Sequence, residues 1–351
     1  MEQILENLCE EAGQIGVFLP LTPGTDAISQ PTVLHDYQLK NSAAVMISPC
    51  YDADENGAPT AQTIARYCDA ARKTECGMLW SEPIAVSPDA RTDTHQLMLT
   101  EENAEAFKAL CAAVKEASDG AVLIALLDHA GRKAIKGKAF ENSTLFSRCE
   151  ILDDSEITPI AANCAIAAKT AEAAGFEGIA LNVCERNLFA DSLAAFHRNG
   201  KFGGDFDDRT RFVRDCFTAM KLTTSNAFLT IRLCLSDGLP QPNGFGMAFE
   251  DASAPDLSEP VLLLQILQAL YGLKLVACEV GLNDHNWCCR EEPESELIRV
   301  SRLCTCIGML DSAMQQNVQL LIPDRTTEIP FANLAAGMIS GEFASFAGFV
   351  Q

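Results

Sequence analysis

Five side chains in this sequence combine reactive chemistry with a place in or just beyond a short apolar run: Tyr51, His129, Glu185, Arg186 and Arg232. Arg232 lies inside AFLTIRL, where a guanidinium either meets a ligand or forms an interior ion pair, with Glu279 or Asp237 as candidate partners. His129 follows AVLIALLD and suits a structural hydrogen-bond donor as well as an acid–base group. Glu185 and Arg186 follow GIALNV, an acid beside a cation, and both catalysis and a loop salt bridge are open to such a pair. Tyr51, after Pro49 and Cys50, can donate a proton, stack on a ligand or pack as an ordinary aromatic. Asp128-His129, Cys288-Cys289 and Cys304-x-Cys306 hold metal-ligating atoms, but none has paired C-x2-C spacing, so no metal is expected.

These residues need a frame that gathers the ends of the apolar runs. Eight runs begin near Ala43, Gly77, Ala121, Gly178, Ala227, Lys274, Val318 and Phe343, continuous rather than alternating. Such runs mark parallel strands covered on both faces. Helical patterns occupy 60–73, 101–117, 155–174, 207–221, 257–271, 294–316 and 330–339. Thr100 and Ser155 read as caps, Gly175 and Gly272 as stops. This alternation predicts an α/β fold, a single (β/α)8 TIM barrel; a doubly wound sheet would show a Gly-rich first turn. Residues 1–351 read as one domain, with 1–40 an N-terminal extension and barrel cap and 41–351 the barrel. The long polar segments 133–154 and 236–260 then fall at the C-terminal face of the strands, where catalytic loops sit.

The 351 residues are 48% hydrophobic and 21% charged, enough to bury a sizeable core. Against 26 Lys and Arg stand 48 Asp and Glu, a net charge of −22 that repels phosphate backbones and anionic lipid heads. Neither nucleic acid nor a membrane surface is expected as a partner. The 15 Cys, mostly within apolar segments, fit a reducing compartment, and Met1-Glu2-Gln3-Ile4 does not open a signal peptide. A cytoplasmic location is expected. The most apolar stretch, 261–278, is broken by Gln265, Gln268, Gly272 and Lys274, which suits a helix and a strand better than a membrane span.

Several strings are familiar in order and spacing together. LKNSAAVMISPCYDADENGAPT (39–60), SEPIAVSPDAR (81–91), LTEENAEAF (99–107), DHAGR (128–132), AAKTAEAAGFEGIAL (167–181), KFGGDFDDRTRF (201–212) and TIRL (230–233) resemble the Old Yellow Enzyme family of flavin-dependent ene-reductases. The resemblance implies FMN at the C-terminal mouth of a barrel, reduced by NAD(P)H and reoxidised by an activated alkene or a similar small-molecule substrate. Carried over position by position, it puts Pro49, Cys50, Pro83, Leu126, Arg232, Arg325 and Gly348 around the cofactor, and Tyr51, His129, Asn182, Glu185 and Arg186 in the catalytic group.

Several positions depart from the family pattern. Where the family holds the flavin's pyrimidine edge with Gln, Leu126 has no donor or acceptor. Where it has a His, a second His or Asn, and a Tyr after the fourth strand, this chain has Asn182, Glu185 and Asn187. Asn182 and a protonated Glu185 still suit a carbonyl, and Glu185, the titratable one, is the expected proton carrier. The Gly-rich turn and Gly-Arg that clamp the phosphate are replaced by Pro323-Asp324 and Gly348-Phe349, and Glu279 stands where Ser is frequent. Arg325 is then the remaining phosphate ligand. Two classes of function follow: a flavin oxidoreductase with an eroded site, or a barrel without FMN serving as the non-catalytic subunit or partner of an active relative. Either a homo-oligomer or a hetero-oligomer is compatible with the sequence. The last barrel helix is expected to be missing or replaced, with the stripe Ile4, Leu5, Leu8 and Cys9 covering Val45, Ile47, Phe343 and Phe346.

Overall fold

The eight apolar runs become eight parallel strands. The computed structural model describes residues 1–143, 146, 148–239, 241–249, 254–281 and 295–351. The strands are β1 (Ala43–Met46), β2 (Met78–Ala85), β3 (Val122–Asp128), β4 (Gly178–Val183), β5 (Phe228–Ser236), β6 (Leu275–Val280), β7 (Gln319–Pro323) and β8 (Phe346–Val350). Each pairs in parallel with the next, and β8 pairs with β1, closing a barrel. Residues alternate between two apolar sets: Met46, Trp80, Ile124, Ala180, Ala277 and Phe346 fill the barrel, while Val45, Leu79, Leu123, Ile179 and Val276 meet the helices. That alternation fixes which side chains at the strand ends can share one site. Asn182 of β4 is in register with Arg232 of β5, so the two stand side by side.

The helices are α1 (Glu2–Gln14), α2 (Ala61–Thr74), α3 (Ala104–Ala117), α4 (Asp154–Ala174), α5 (Phe206–Thr223), α6 (Ser258–Tyr271), α7 (Glu296–Met314) and α8 (Phe331–Ser340). α4 is capped by Asp153, two residues before the expected Ser155, with Glu156 reciprocating in a capping box. A hairpin, Thr32–Leu34 with Tyr37–Leu39, was not legible as strands; its Leu34 and Leu39 join the interior set and plug the N-terminal end of the barrel.

The covering of β8 and β1 differs from the sequence expectation. Phe346 points into the barrel and Phe343 precedes the strand, so neither needs an outer cover. In α1 Leu5 is buried and Leu8 half-buried, while Ile4 and Cys9 are exposed. The contact with α8 is made by the extended segment after α1: Thr22 N–H donates to Asn333 O, and Asn333 Nδ2 donates to Thr22 O and Pro23 O. Gly337 permits it, because a Cβ there would lie 1.6 Å from Pro20 O. Gly337→Ala is therefore expected to lose about 1–3 kcal/mol by overpacking, read from the urea midpoint. An unchanged midpoint would mean that this segment is not held against α8.

Candidate active site

The C-terminal strand ends enclose a cavity of about 260 Å³. Eight of the anticipated residues line it: Pro49, Tyr51, Pro83, Leu126, Asn182, Glu185, Arg232 and Arg325. The other four do not. His129 is buried, its Nδ1 facing the Gly131 N–H at 3.2 Å; burial lowers its pKa to about 4 against the pull of Asp89, so it is a neutral ring. Arg186 turns to Asp191 and Asp237, at 3.8 and 3.6 Å, and lies over the Phe146 ring. Cys50 donates its backbone N–H to Glu82. Gly348 sits within the barrel, where a Cβ would press on Leu321 and the Met46 sulfur.

Backbone conformation separates the neighbours Glu185 and Arg186. Both have positive φ, 56° and 52°, as does Tyr51 at 52°. Such backbone costs of order 1–3 kcal/mol per non-glycine residue and concentrates at functional sites. Here the tight turn after β4 leaves Glu185 on the cavity wall and Arg186 behind it, so the two do not act on one ligand as an adjacent pair.

Sequence reasoning missed the group that organises the β3–β4 side. Asp128, 5% exposed, accepts on Oδ1 from Asn182 Nδ2 at 2.9 Å and Asn187 Nδ2 at 2.7 Å. Asn187 is fixed from its other end, since its Oδ1 accepts from Ala190 N–H and caps the short helix Leu188–Leu193. Burial raises the Asp128 pKa; the two asparagine amides and Arg232 oppose the rise. The result is that both asparagines turn their donors inward to Asp128. Asn182, 4% exposed, keeps a buried Oδ1 with no hydrogen bond. The Asp was visible in DHAGR, but only as an unsupported metal ligand.

On the β5–β6 side Glu279, 3% exposed, joins two arginines. Its Oε1 accepts from Arg232 Nε at 2.9 Å and Nη2 at 2.5 Å, and from Arg325 Nη2 at 2.8 Å. Burial pushes its pKa up, but Arg325 and Arg232 overcome this and hold it at about 2. The ion pair anticipated for Arg232 is therefore with Glu279; Asp237 faces Arg186 instead. Among the described residues no group of three His, Cys, Asp or Glu could hold a metal. Cys304 and Cys306 are buried, and Cys288 and Cys289 lie outside the described residues.

Residues 28–248 match the model of the NADH:flavin oxidoreductase / NADH oxidase family. The chain belongs to that family. The motif resemblance is borne out, and with it the barrel and the family's implied cofactors, FMN and NAD(P)H. NADPH dehydrogenases of Bacillus subtilis and Bacillus velezensis are 28% and 27% identical over 222 and 217 residues, in each case 59% of this chain and 63% of the relative. The matches thus span less than two thirds of those proteins. Among solved structures, a 2-naphthoyl-CoA reductase complex has a TM-score of 0.77 at 15% identity, over 93% of this chain and 50% of that one. Morphinone reductase with tetrahydroNAD has a TM-score of 0.69 at 18% identity, over 94% and 87%. An old yellow enzyme homologue from Zymomonas mobilis gives 0.69 at 16%, over 92% and 88%. These three share the fold. Among the described residues, no helix is long and apolar enough to cross a membrane.

The family makes FMN the group to test against this mouth. Leu126 gives the flavin's pyrimidine edge no polar side-chain atom. Arg232 and Arg325 are both engaged by Glu279. Pro323 has no N–H, and the Asp324 N–H donates to Gly348 O at 2.7 Å within the barrel. The cavity, about 260 Å³, lies below the ~300–1,000 Å³ usual for drug-sized ligands. Among the described residues at this mouth, Arg325 is the cation left for an FMN phosphate, and Glu279 already engages it.

Proposed function

We propose that this chain is a divergent flavin-oxidoreductase barrel whose mouth binds a small polar molecule and holds FMN weakly or not at all. Glu279 carries this reading, because one carboxylate already sits on both guanidiniums that would face an anionic cofactor. Losing a clamp of a few charge-assisted bonds, at roughly 1.5–3 kcal/mol each, removes several decades of affinity. Within such a mouth Glu185 is the proton carrier we favour over Asn187, whose amide is fixed between Asp128 and Ala190.

A second reading, an FMN-linked oxidoreductase using NAD(P)H on a small-molecule acceptor, is favoured by the family match and by the unchanged Arg232. Titration of FMN into the apoprotein separates the two. The expected dissociation constant is weaker than micromolar, and a sub-micromolar value overturns the first reading in favour of the second.

A further inference from the structure

We propose that the mouth recognises a small zwitterion, a protonated amine and a carboxylate on one short skeleton as in an α-amino acid, in place of a carbonyl acceptor. The inference rests on the reading of the mouth as a small-ligand site. Its basis is an inversion of hydrogen-bonding sense at the fourth strand. A side-chain donor from Asn182 or Asn187 is what a substrate carbonyl would need, and both amides are held by Asp128. What Asn182 retains is an acceptor, Oδ1, buried on a residue that lines the cavity and without a partner. A buried acceptor left unpaired favours whatever ligand brings a donor to it. Asp128 adds to this, since its Oδ2 has no hydrogen bond to a described residue and the carboxylate lines the same wall.

The adjoining stretch of wall has the opposite character. Arg232 and Arg325 engage Glu279 through Nε and Nη2, and neither Nη1 is hydrogen-bonded to a described residue. Glu279 binds both guanidiniums and Glu185 also acts on both, so what they offer a ligand is the two Nη1 donors, which suit one carboxylate. Asn182 and Arg232 are register partners on adjacent strands, so their backbones are about 4.8 Å apart. An amine and a carboxylate on one short skeleton can span that interval. Among the described residues at the site, both signs are present: the cations Arg232 and Arg325, and the carboxyls Asp128 and Glu279. A site with separated poles suits a ligand that itself has separated poles. The volume, about 260 Å³, lies below the ~300–1,000 Å³ usual for drug-sized ligands, which favours a small one.

Calorimetric titration of the full chain with L-norvaline, valerate, butylamine and cyclohex-2-enone tests this. Norvaline is expected to bind at least about tenfold tighter than each of the other three. Asn182→Leu should bring norvaline to the level of valerate while leaving valerate unchanged. Equal binding of valerate or the enone, no binding of norvaline, or an Asn182→Leu variant that keeps the preference overturns the proposal; the wild-type comparison decides even where the variant fails to fold. Tight FMN binding overturns the preceding reading by itself, and the same four titrations on FMN-loaded protein still decide the polarity of the mouth.

Discussion

Glu279→Gln is expected to destabilise the protein by about 3–5 kcal/mol, the usual cost of removing one member of a buried charge cluster. The amide keeps the shape and one acceptor, but buried Arg232 and half-buried Arg325 lose the carboxylate that binds both and keep only the coulombic pull of Glu185. Acid unfolding supplies an independent measure. Glu279 has a folded pKa near 2 against an ordinary 4.5, set by burial that raises it and by Arg325 and Arg232, which outweigh the burial. A depressed carboxylate contributes stability that is present above its unfolded pKa and lost as pH falls through its folded one. Between about pH 4.5 and 2 this amounts to roughly 3 kcal/mol, at about 1.4 kcal/mol per pH unit. Urea unfolding of wild type and variant at pH 7 and pH 3 should show a gap that narrows in acid. A gap under 1 kcal/mol at pH 7 would show that the guanidiniums have other partners. Asp128 has the reverse dependence, its pKa raised by burial, and is common to both proteins, so the difference isolates Glu279.

The barrel was legible in the sequence because its signals are local. Each of the eight apolar runs overlaps a strand, down to KLVACEV as Leu275–Val280 and GIALNV as Gly178–Val183, since a strand covered on both faces is apolar at every position. The hairpin Thr32–Leu34 and Tyr37–Leu39 was not, because three-residue strands around His35 are too short for periodicity. Placement at the mouth followed from topology and the motif resemblance together: Tyr51, Asn182, Glu185 and Arg232, at or just beyond the C-terminal ends of β1, β4 and β5, all line the cavity. The direction of their polar atoms was not. Whether Asn182 offers a donor or an acceptor is decided by Asp128, 54 residues away, and whether Arg232 is available by Glu279, 47 residues away. Arg186 misled because adjacency in the loop after a strand suggests a shared site, whereas the left-handed turn formed by both residues sends the pair apart.

A further charge cluster, around buried Glu82 and half-buried Arg66, supports the loop after β1, and its removal is expected to have a comparable effect. Arg66, on α2, donates from Nη2 to Glu82 Oε1 at 2.5 Å, from Nε to Asp52 at 2.9 Å and from Nη1 to Ser48 O at 3.3 Å. Glu82, 1% exposed, also accepts from Cys50 N–H on its other oxygen. Arg66 and Glu82 thus hold 48–52, the turn that carries Tyr51 in its left-handed conformation onto the cavity wall. Arg66→Leu leaves Glu82 as a buried acid without its cation, and a loss of about 3–5 kcal/mol is expected at pH 7. Burial already pushes the Glu82 pKa up while Arg66 holds it down; without Arg66 it rises further. A carboxyl whose folded pKa exceeds its unfolded one favours folding as pH falls. The deficit of the variant should therefore shrink between pH 8 and pH 5. Adding Glu82→Gln to Arg66→Leu should recover most of the loss, because the buried charge goes with its partner. Denaturation of the single and double variants across that range decides the matter. A deficit independent of pH, with no recovery in the double variant, would assign the role of Arg66 to packing of its alkyl chain on α2 and leave the turn at Tyr51 held by other contacts.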